Sequence, residues 1–290
     1  MYVNTFSIVA YDPDEKAWGV AVASKFLAVA ALVSWAKADV GAVATQSFIN
    51  MRYGSDGLAL LAEGQSASEA LARLLKDDND REKRQVALVD AQGRVAAHTG
   101  KECHDYAGHK LGTHFSIQGN ILTGADVLDA MADTYRSSSG ELADRLLATL
   151  RAGESAGGDK RGKQAAGILV VKPNGGYGGN NDRYLDLRVD DDDKPIKKLA
   201  QLLETHHLYF GSPKPEDQLV INEEIARELQ NIMVSQGYLG GEVNGTWDEV
   251  AQQAFWVLVG NENLEERWSP DKNPKQIDRV ALDYLRKRFG

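Results

Sequence analysis

A single cysteine, Cys103, stands in this 290-residue chain. One thiol can neither close an internal disulfide nor build a cysteine-rich metal cluster, so the fold has to be held by its core. Cys103 itself reads as a loop or buried thiol rather than a nucleophile. Positive charge is scarce too. Lys and Arg number 33 against 42 Asp and Glu, a formal net charge of −9, which argues against a nucleic-acid or anionic-membrane partner. From Glu216 onward 14 acidic residues face 8 basic ones, so six of the nine excess negative charges lie in that last segment. Long hydrophobic runs are missing. Phe26 to Ala36 is interrupted by Ser34 and falls far short of the roughly 20 residues a membrane helix needs. No basic stretch followed by an apolar run opens the chain, so the expected location is cytoplasmic.

Metal and phosphate motifs are absent as well. His104 and His109, five apart near Asp105, lie in a Gly-rich loop with no ligand-bearing helix, and the adjacent His206 and His207 diverge on a helix. The segment GGYGG lacks the Lys and hydroxyl residue of a phosphate loop. Neither a metal nor a cofactor is expected.

What is present is strongly patterned. Thr5 to Tyr11 alternates, Asp12-Pro13-Asp14-Glu15-Lys16 is a turn, and Trp18 to Ser24 alternates again, which predicts a β-hairpin. GAVATQSF is a further strand whose small residues suit a closely covered face. Helices follow over Gly54 to Glu63 and from Ser66, where Ser66 and Glu69 form a capping box. Gln85–Asp90 and Arg94–Thr99 make a second hairpin. FSIQGNIL is a strand, Ala125–Tyr135 and Gly140–Ala152 are helices, and Ala166–Lys172 and Tyr184–Val189 are strands. A helix over Ile196–Thr205 precedes GSPKPED, a linker. Runs of strands alternating with helix pairs disfavour a doubly wound parallel fold and fit two sheets packed face to face with helices outside each. The expected domains are residues 1–210 and 211–290.

Thr5 opens the first strand with almost nothing before it. A Ser, Thr or Cys at a chain terminus can carry its own base, because a free α-amine titrates near 7.7–8.0 and can take a proton from the neighbouring hydroxyl. Ser7, two residues on and on the same strand face, is the runner-up.

The blocks TFSIVA, GVAVASKF, GAVATQSF, YGSDGLALL, RQVALVD, VAAHTG, GNIL and GGDKRGKQAAGILVV, spread over Thr5 to Asp193, resemble the family named domain of unknown function 1028. That family looks like a branch of the N-terminal-nucleophile (Ntn) hydrolases. The resemblance implies an α+β fold, a four-layer αββα sandwich, and hydrolysis of an amide bond. It makes Thr5 the nucleophile and gives Ser24 and Lys25, at the returning end of the first hairpin, as its polar partners. A nearby Lys25 ammonium would lower the amine pKa. Members usually carry Met directly before the Thr block. Here Tyr2, Val3 and Asn4 intervene, so Thr5 becomes terminal only when the Asn4–Thr5 bond is cut. Ala165 stands where the block would have a hydroxyl residue.

Other polar residues are placed to line a pocket. Asn120 could donate to a developing oxyanion. Gln46 and Ser47 end a strand, with Asn50 and Arg52 in the loop beyond. In GGDKRGKQ, glycines let main-chain N–H groups turn inward, Arg161 offers a fork for a carboxylate, Asp159 could pair with it or bind an amine, and Gln164 closes the block. Asp182, Asp186 and Arg188 either complete the pocket or cover a sheet edge. For each, a turn, cap or solvated-loop role is the plain alternative.

The last segment, LQ…GY…VNGTWDEVAQQAF, resembles a peptidoglycan-binding-like helical domain. Ile225, Leu229, Ile232 and Met233 form its core stripe, Gly237 stops that helix, and Thr246 is placed to cap the next. Trp247, Trp256 and Trp268 are core residues or platforms for sugars. The expected function is hydrolysis of a small polar amide. The alternative is a non-catalytic protein that binds a small anion on the same scaffold. Expected partners are the small-molecule amide, other copies of the chain in a homo-oligomer, and a cell-wall glycan or protein for the tail. Nucleic acid and membrane are not expected.

Overall fold

The computed structural model describes residues 2–3, 5–211 and 213–290. A two-residue strand, β1 (Tyr2–Val3), comes first, then β2 (Phe6–Asp12) and β3 (Ala17–Ser24). Asp12 Oδ1 accepts the main-chain N–H groups of Asp14 and Glu15 at 2.9 and 3.1 Å. That local bonding turns the chain tightly enough for β2 and β3 to pair as an antiparallel hairpin. The order continues α1 (Val29–Val33), β4 (Ser34–Lys37), β5 (Gly41–Phe48), α2 (Arg52–Ala62), α3 (Ala67–Lys76), β6 (Arg84–Asp90), β7 (Val95–Thr99), β8 (Gly108–Gly112), β9 (Phe115–Gly119), α4 (Asp126–Ser137), α5 (Leu142–Ser155), β10 (Ala165–Val171), β11 (Arg183–Val189) and α6 (Pro195–Phe210).

Chain contacts divide the molecule at Leu203 and Glu204 into two units. In the first, one antiparallel sheet runs β11-β10-β3-β2-β9-β8 and the other β1-β5-β6-β7, with β4 also on β5. Val9, Val20 and Val22 of the first sheet share one core with Ala42, Ala44, Ala87 and Val89 of the second. The small side chains of GAVAT thus face another sheet. Alternation sends the next residues the other way. Ile8, Ala21 and Ile168 pack on Leu128, Met131, Leu146 and Leu150 of α4 and α5 and on Leu199 of α6, while Val43, Val86 and Leu88 pack on Leu61, Ala70 and Leu71 of α2 and α3. Truncating one such buried leucine to Ala costs about 2–5 kcal/mol. Gly19 of β3 is needed at the contact with α5, since a Cβ there would stand 2.6 Å from Leu146.

Local signals act where the sequence puts them. Ser66 caps α3 in a reciprocal box with Glu69. Glu15 caps α5 from outside the helix, accepting Leu142 N–H at 2.6 Å. Two segments differ from the sequence expectation. The apolar run Phe26–Ala36 divides into α1 and edge strand β4, and the Gly-rich stretch after Cys103 contains β8, paired with β9.

The second unit holds β12 (Gln218–Val220), α7 (Glu223–Ser235), α8 (Glu249–Asn261), β13 (Gln276–Asp278) and α9 (Arg279–Phe289), with β12 antiparallel to β13. Leu229, Met233, Phe255, Leu258, Trp268 and Leu282 make its core. Trp268 is buried, with Trp247 and Trp256 packed against it at 6.3 Å ring separations. Gly237 ends α7 at φ 78°. Asp248, not Thr246, caps α8 by accepting the Ala251 N–H, because α8 begins at Glu249 and Thr246 lies two residues ahead of that cap, in the turn after Asn244. Arg267 and Asp278 form a buried ion pair at 2.5 Å. Arg267 also donates to the carbonyls of His207 and Leu208. Breaking such a pair from one side strands a buried charge and costs about 3–5 kcal/mol.

Candidate functional site

The register of three strands defines the site. Phe6 pairs with Ala23 on one side and with Gly119 on the other. Thr5, one residue earlier, therefore stands where β2 begins, beside Ser24 at the end of β3 and Asn120 just after β9. All three are buried. Thr5 Oγ1 donates to the Ala23 carbonyl at 3.1 Å, and the Thr5 carbonyl accepts the Asn120 N–H at 3.0 Å. Asn4, on the amino side of the bond expected to be cut, lies outside the described residues.

Below Thr5 the space between the sheets is polar. Ser7 Oγ donates to Gln46 Oε1 and accepts from Gln118 Nε2, both at 2.7 Å. Gln118 Oε1 in turn accepts from Ser116 at 2.9 Å. Gln85 is the hub. Its Oε1 accepts Gln46 Nε2 at 2.7 Å and Asn120 Nδ2 at 2.8 Å, and its Nε2 donates to the carbonyls of Gly119 and Gly108 and to Thr99 Oγ1. Linked buried polar groups of this kind fix one arrangement of the surrounding strands, because each lost partner leaves another group unpaired. One atom stays outside the network: Asn120 Oδ1 is buried and meets no donor. Two strained residues follow the network's strand ends. Ser47, after Gln46, has φ 64°, and Ile121, after Asn120, has φ 50°, a region costly for residues other than Gly.

Several expected site residues take other roles. Lys25 is exposed, in the bend that follows β3. What it contributes is a main-chain N–H, bonded to Asp159 Oδ2 at 3.0 Å. Asp159 is saturated by that bond together with Arg161 N, Nε and Nη2. The GGDKRGKQ loop is thereby latched to the end of β3, and Asp159 has no oxygen to spare for an amine. Beside this latch a cavity of about 60 Å³ is lined by Phe6, Ala23, Ser24, Gly158 and Asp159. It has room for about two waters. Gln164 lies next to Ser24 through its main chain but directs its side chain to Asp191 at 3.0 Å. Ser47 lies against the Cys103 thiol, whose pKa is pushed up by burial and only partly offset by that hydroxyl. Asp182 is not brought to Thr5. It follows the Val171 end of β10, whereas Ala165 at the other end pairs with Ser24, so the length of a seven-residue strand, about 20 Å, intervenes. Asp186 and Arg188 pair with each other on edge strand β11.

Asn50 and Arg52 belong to a different cluster. Asp78 accepts from Tyr53 Oη at 2.7 Å and Arg84 Nε at 2.9 Å, with Asn50 Nδ2 at 3.4 Å. Burial pushes the Asp78 carboxyl up, but the Arg84 and Tyr53 bonds outweigh it and hold the group well below the usual range. Arg52 is exposed and pairs with Asp56.

Residues 5–199 match the family described as "Family of unknown function (DUF1028)". The chain belongs to this family. The matched span starts at Thr5 and includes every residue of the inter-sheet network. Residues 209–285 match a second family, described as "Putative peptidoglycan binding domain". The fold is similar to the crystal structure of a DUF1028 protein from Silicibacter pomeroyi, with 32% identity and a TM-score of 0.64 over 70% of this chain and 89% of that one. No curated protein is similar to the chain.

Sequence reasoning missed Gln85, Gln118 and Ser116. A signal for them exists. In RQVALVD, SIQGN and TQS one glutamine lies among mostly small or apolar strand residues. Glutamines on the buried parity of three separate strands have to find one another, since a buried amide cannot stay unpaired.

Proposed function

We propose that the first unit is an Ntn-type amidohydrolase acting on a small polar amide, and that its paired sheets and flanking helices are the four-layer αββα sandwich of that class. Supporting this is the position of Thr5, a buried hydroxyl at the start of a central strand, opposite an asparagine whose side-chain oxygen lacks a donor. Cleavage ahead of Thr5 would free an α-amine at that spot. The amine takes the Oγ1 proton, Oγ1 attacks the substrate carbonyl, and the C–N bond breaks as the leaving nitrogen receives the proton. Water then hydrolyses the Thr5 ester. Asn120 Oδ1 is suited to accept from the freed amine. The second Nδ2 hydrogen, beyond the one given to Gln85, is suited to the oxyanion. The scheme is complete without a cofactor.

Intact mass of protein purified from its own cells tests the first step. A chain starting at Thr5 supports the enzyme. A panel of amides, ureido acids and acyl-amino acids then tests turnover, and full activity in Thr5→Ala refutes the reading. A second reading, a non-catalytic protein that holds a small anion, draws on the Thr5 hydroxyl already being bonded to Ala23 and on the small cavity between Ser24 and the Asp159 loop. An intact terminus in active cells supports that one. For the second unit we propose a cell-wall glycan as partner, on the strength of its family match. No described helix is long and apolar enough to cross a membrane. Cell fractionation distinguishes a cytoplasmic chain from one that meets the wall, and light scattering tests for a homo-oligomer.

A further inference from the structure

We infer that a groove on the second unit, lined by Gln218, Trp268, Ser269, Asn273 and Gln276, binds the N-acetylated sugar strand of peptidoglycan rather than its peptide stem. The inference rests on the wall-binding reading of this unit and gives it a location and a ligand chemistry.

The groove has a volume of about 540 Å³, within the roughly 300–1,000 Å³ of small-ligand sites. It opens where β12 begins, where β13 begins, and along the turn-rich connection after Trp268. Two of its lining residues carry a buried N–H that meets no acceptor: Trp268 Nε1 and Gln218 Nε2. Trp268 is only 2% exposed. A buried donor left unpaired costs about 1–3 kcal/mol. The neighbouring indole is not left so, since Trp247 Nε1 donates to the Pro274 carbonyl at 2.7 Å. The two orphans ask for acceptor atoms from outside the unit.

Charge selects which acceptors. Of the two lining cations, Arg267 is committed to Asp278 and to main-chain carbonyls, and Lys272 lies 4.0 Å from Glu266. Glu265 and Glu266 also line the groove. A carboxylate-rich stem peptide would meet those acids, with only the exposed Lys272 at the groove's edge to hold it. Neutral acceptors fit better. Sugar hydroxyl and acetamido oxygens can take both orphan N–H groups, and the carboxamides of Asn273 and Gln276 can donate and accept along the same chain.

The test uses the full chain. Chitohexaose, a soluble β-1,4 N-acetylglucosamine oligomer, is titrated by calorimetry, and purified sacculi are tested by co-sedimentation. Trp268→Phe keeps a ring and removes the N–H. Gln218→Leu removes the other donor at a half-buried edge position and carries the test if the first variant melts early. Each variant is expected to bind chitohexaose about five- to tenfold more weakly. Sacculi and oligomer that bind wild type and both variants alike overturn the groove but leave the wall-binding reading standing. Failure of wild type to bind either one overturns both. Binding of an isolated stem peptide in place of chitohexaose also overturns the proposal.

Discussion

Asn120 gives its main-chain N–H to the Thr5 carbonyl at 3.0 Å, while its own side-chain oxygen, fully buried, meets no donor. Its amide nitrogen is turned to Gln85, so the unpaired end is the acceptor. That polarity suits an ammonium placed beside it.

Thr5→Ala is expected to leave the fold intact, at a cost of about 1 kcal/mol for the lost bond to Ala23. Intact mass of this variant should show no shortening ahead of residue 5, whereas wild type from the same cells should show it. Thr5→Ser, which keeps a hydroxyl, should restore cleavage. Shortening of the Ala variant at that bond by its own action would contradict the proposal.

Gln85→Leu should be among the most damaging single changes in the first unit. It strands donors on Gln46 and Asn120 and the carbonyl of Gly119 in a buried space. A loss of about 2–4 kcal/mol is expected, read as a lower urea midpoint. Wild-type stability in this variant would mean that water replaces the amide.

Asp78 gives the acid limb of stability. Its carboxyl is depressed in the folded state, so the stabilisation is fully present above the unfolded value near about 3.9 and is lost as pH falls toward the folded one. Urea midpoints should drop between pH 5 and pH 3 in wild type. In Asp78→Asn the protein should start weaker at pH 7 and show a shallower acid slope. Parallel profiles would remove Asp78 from the account.

Asp159→Ala should release the GGDKRGKQ loop, since four donors converge on that one carboxylate. Limited trypsin digestion at Lys160, Arg161 and Lys163 is the sensitive readout, with faster cutting expected there than elsewhere. Unchanged digestion would show that the Leu122–Asp159 bridge and the neighbouring main-chain bonds suffice.

Local chemistry made much of this legible in the sequence. The Asp12 turn, the Ser66–Glu69 box and the alternation of TFSIVAY each depend on residues a few positions apart, and each determines structure at that range. Thr5 and Ser24 could be brought together because one short hairpin joins them. Gln85 could not be placed, because its partners arrive from β5 and β9 through long-range pairing that no local pattern specifies. Lys25 lies one residue past the end of β3, in an exposed bend, where only its main chain meets the loop of Asp159. Asp182 was misplaced by strand length, a polar residue in the right type of loop at the wrong end of β10. Asp159 was expected to bind substrate, but its oxygens are taken by the Lys25 main chain and by Arg161, a geometry only the folded loop reveals.

Tyr2 and Val3 pair with Phe48 and Ser47, continuing the side of β5 that β4 leaves at Ala44. Loss of the residues ahead of Thr5 would therefore do more than liberate an amine. It would uncover main-chain donors and acceptors at Ser47 and Phe48, a short rail on which the acyl half of an incoming amide could lie in extended form, in the track of the segment that had just departed.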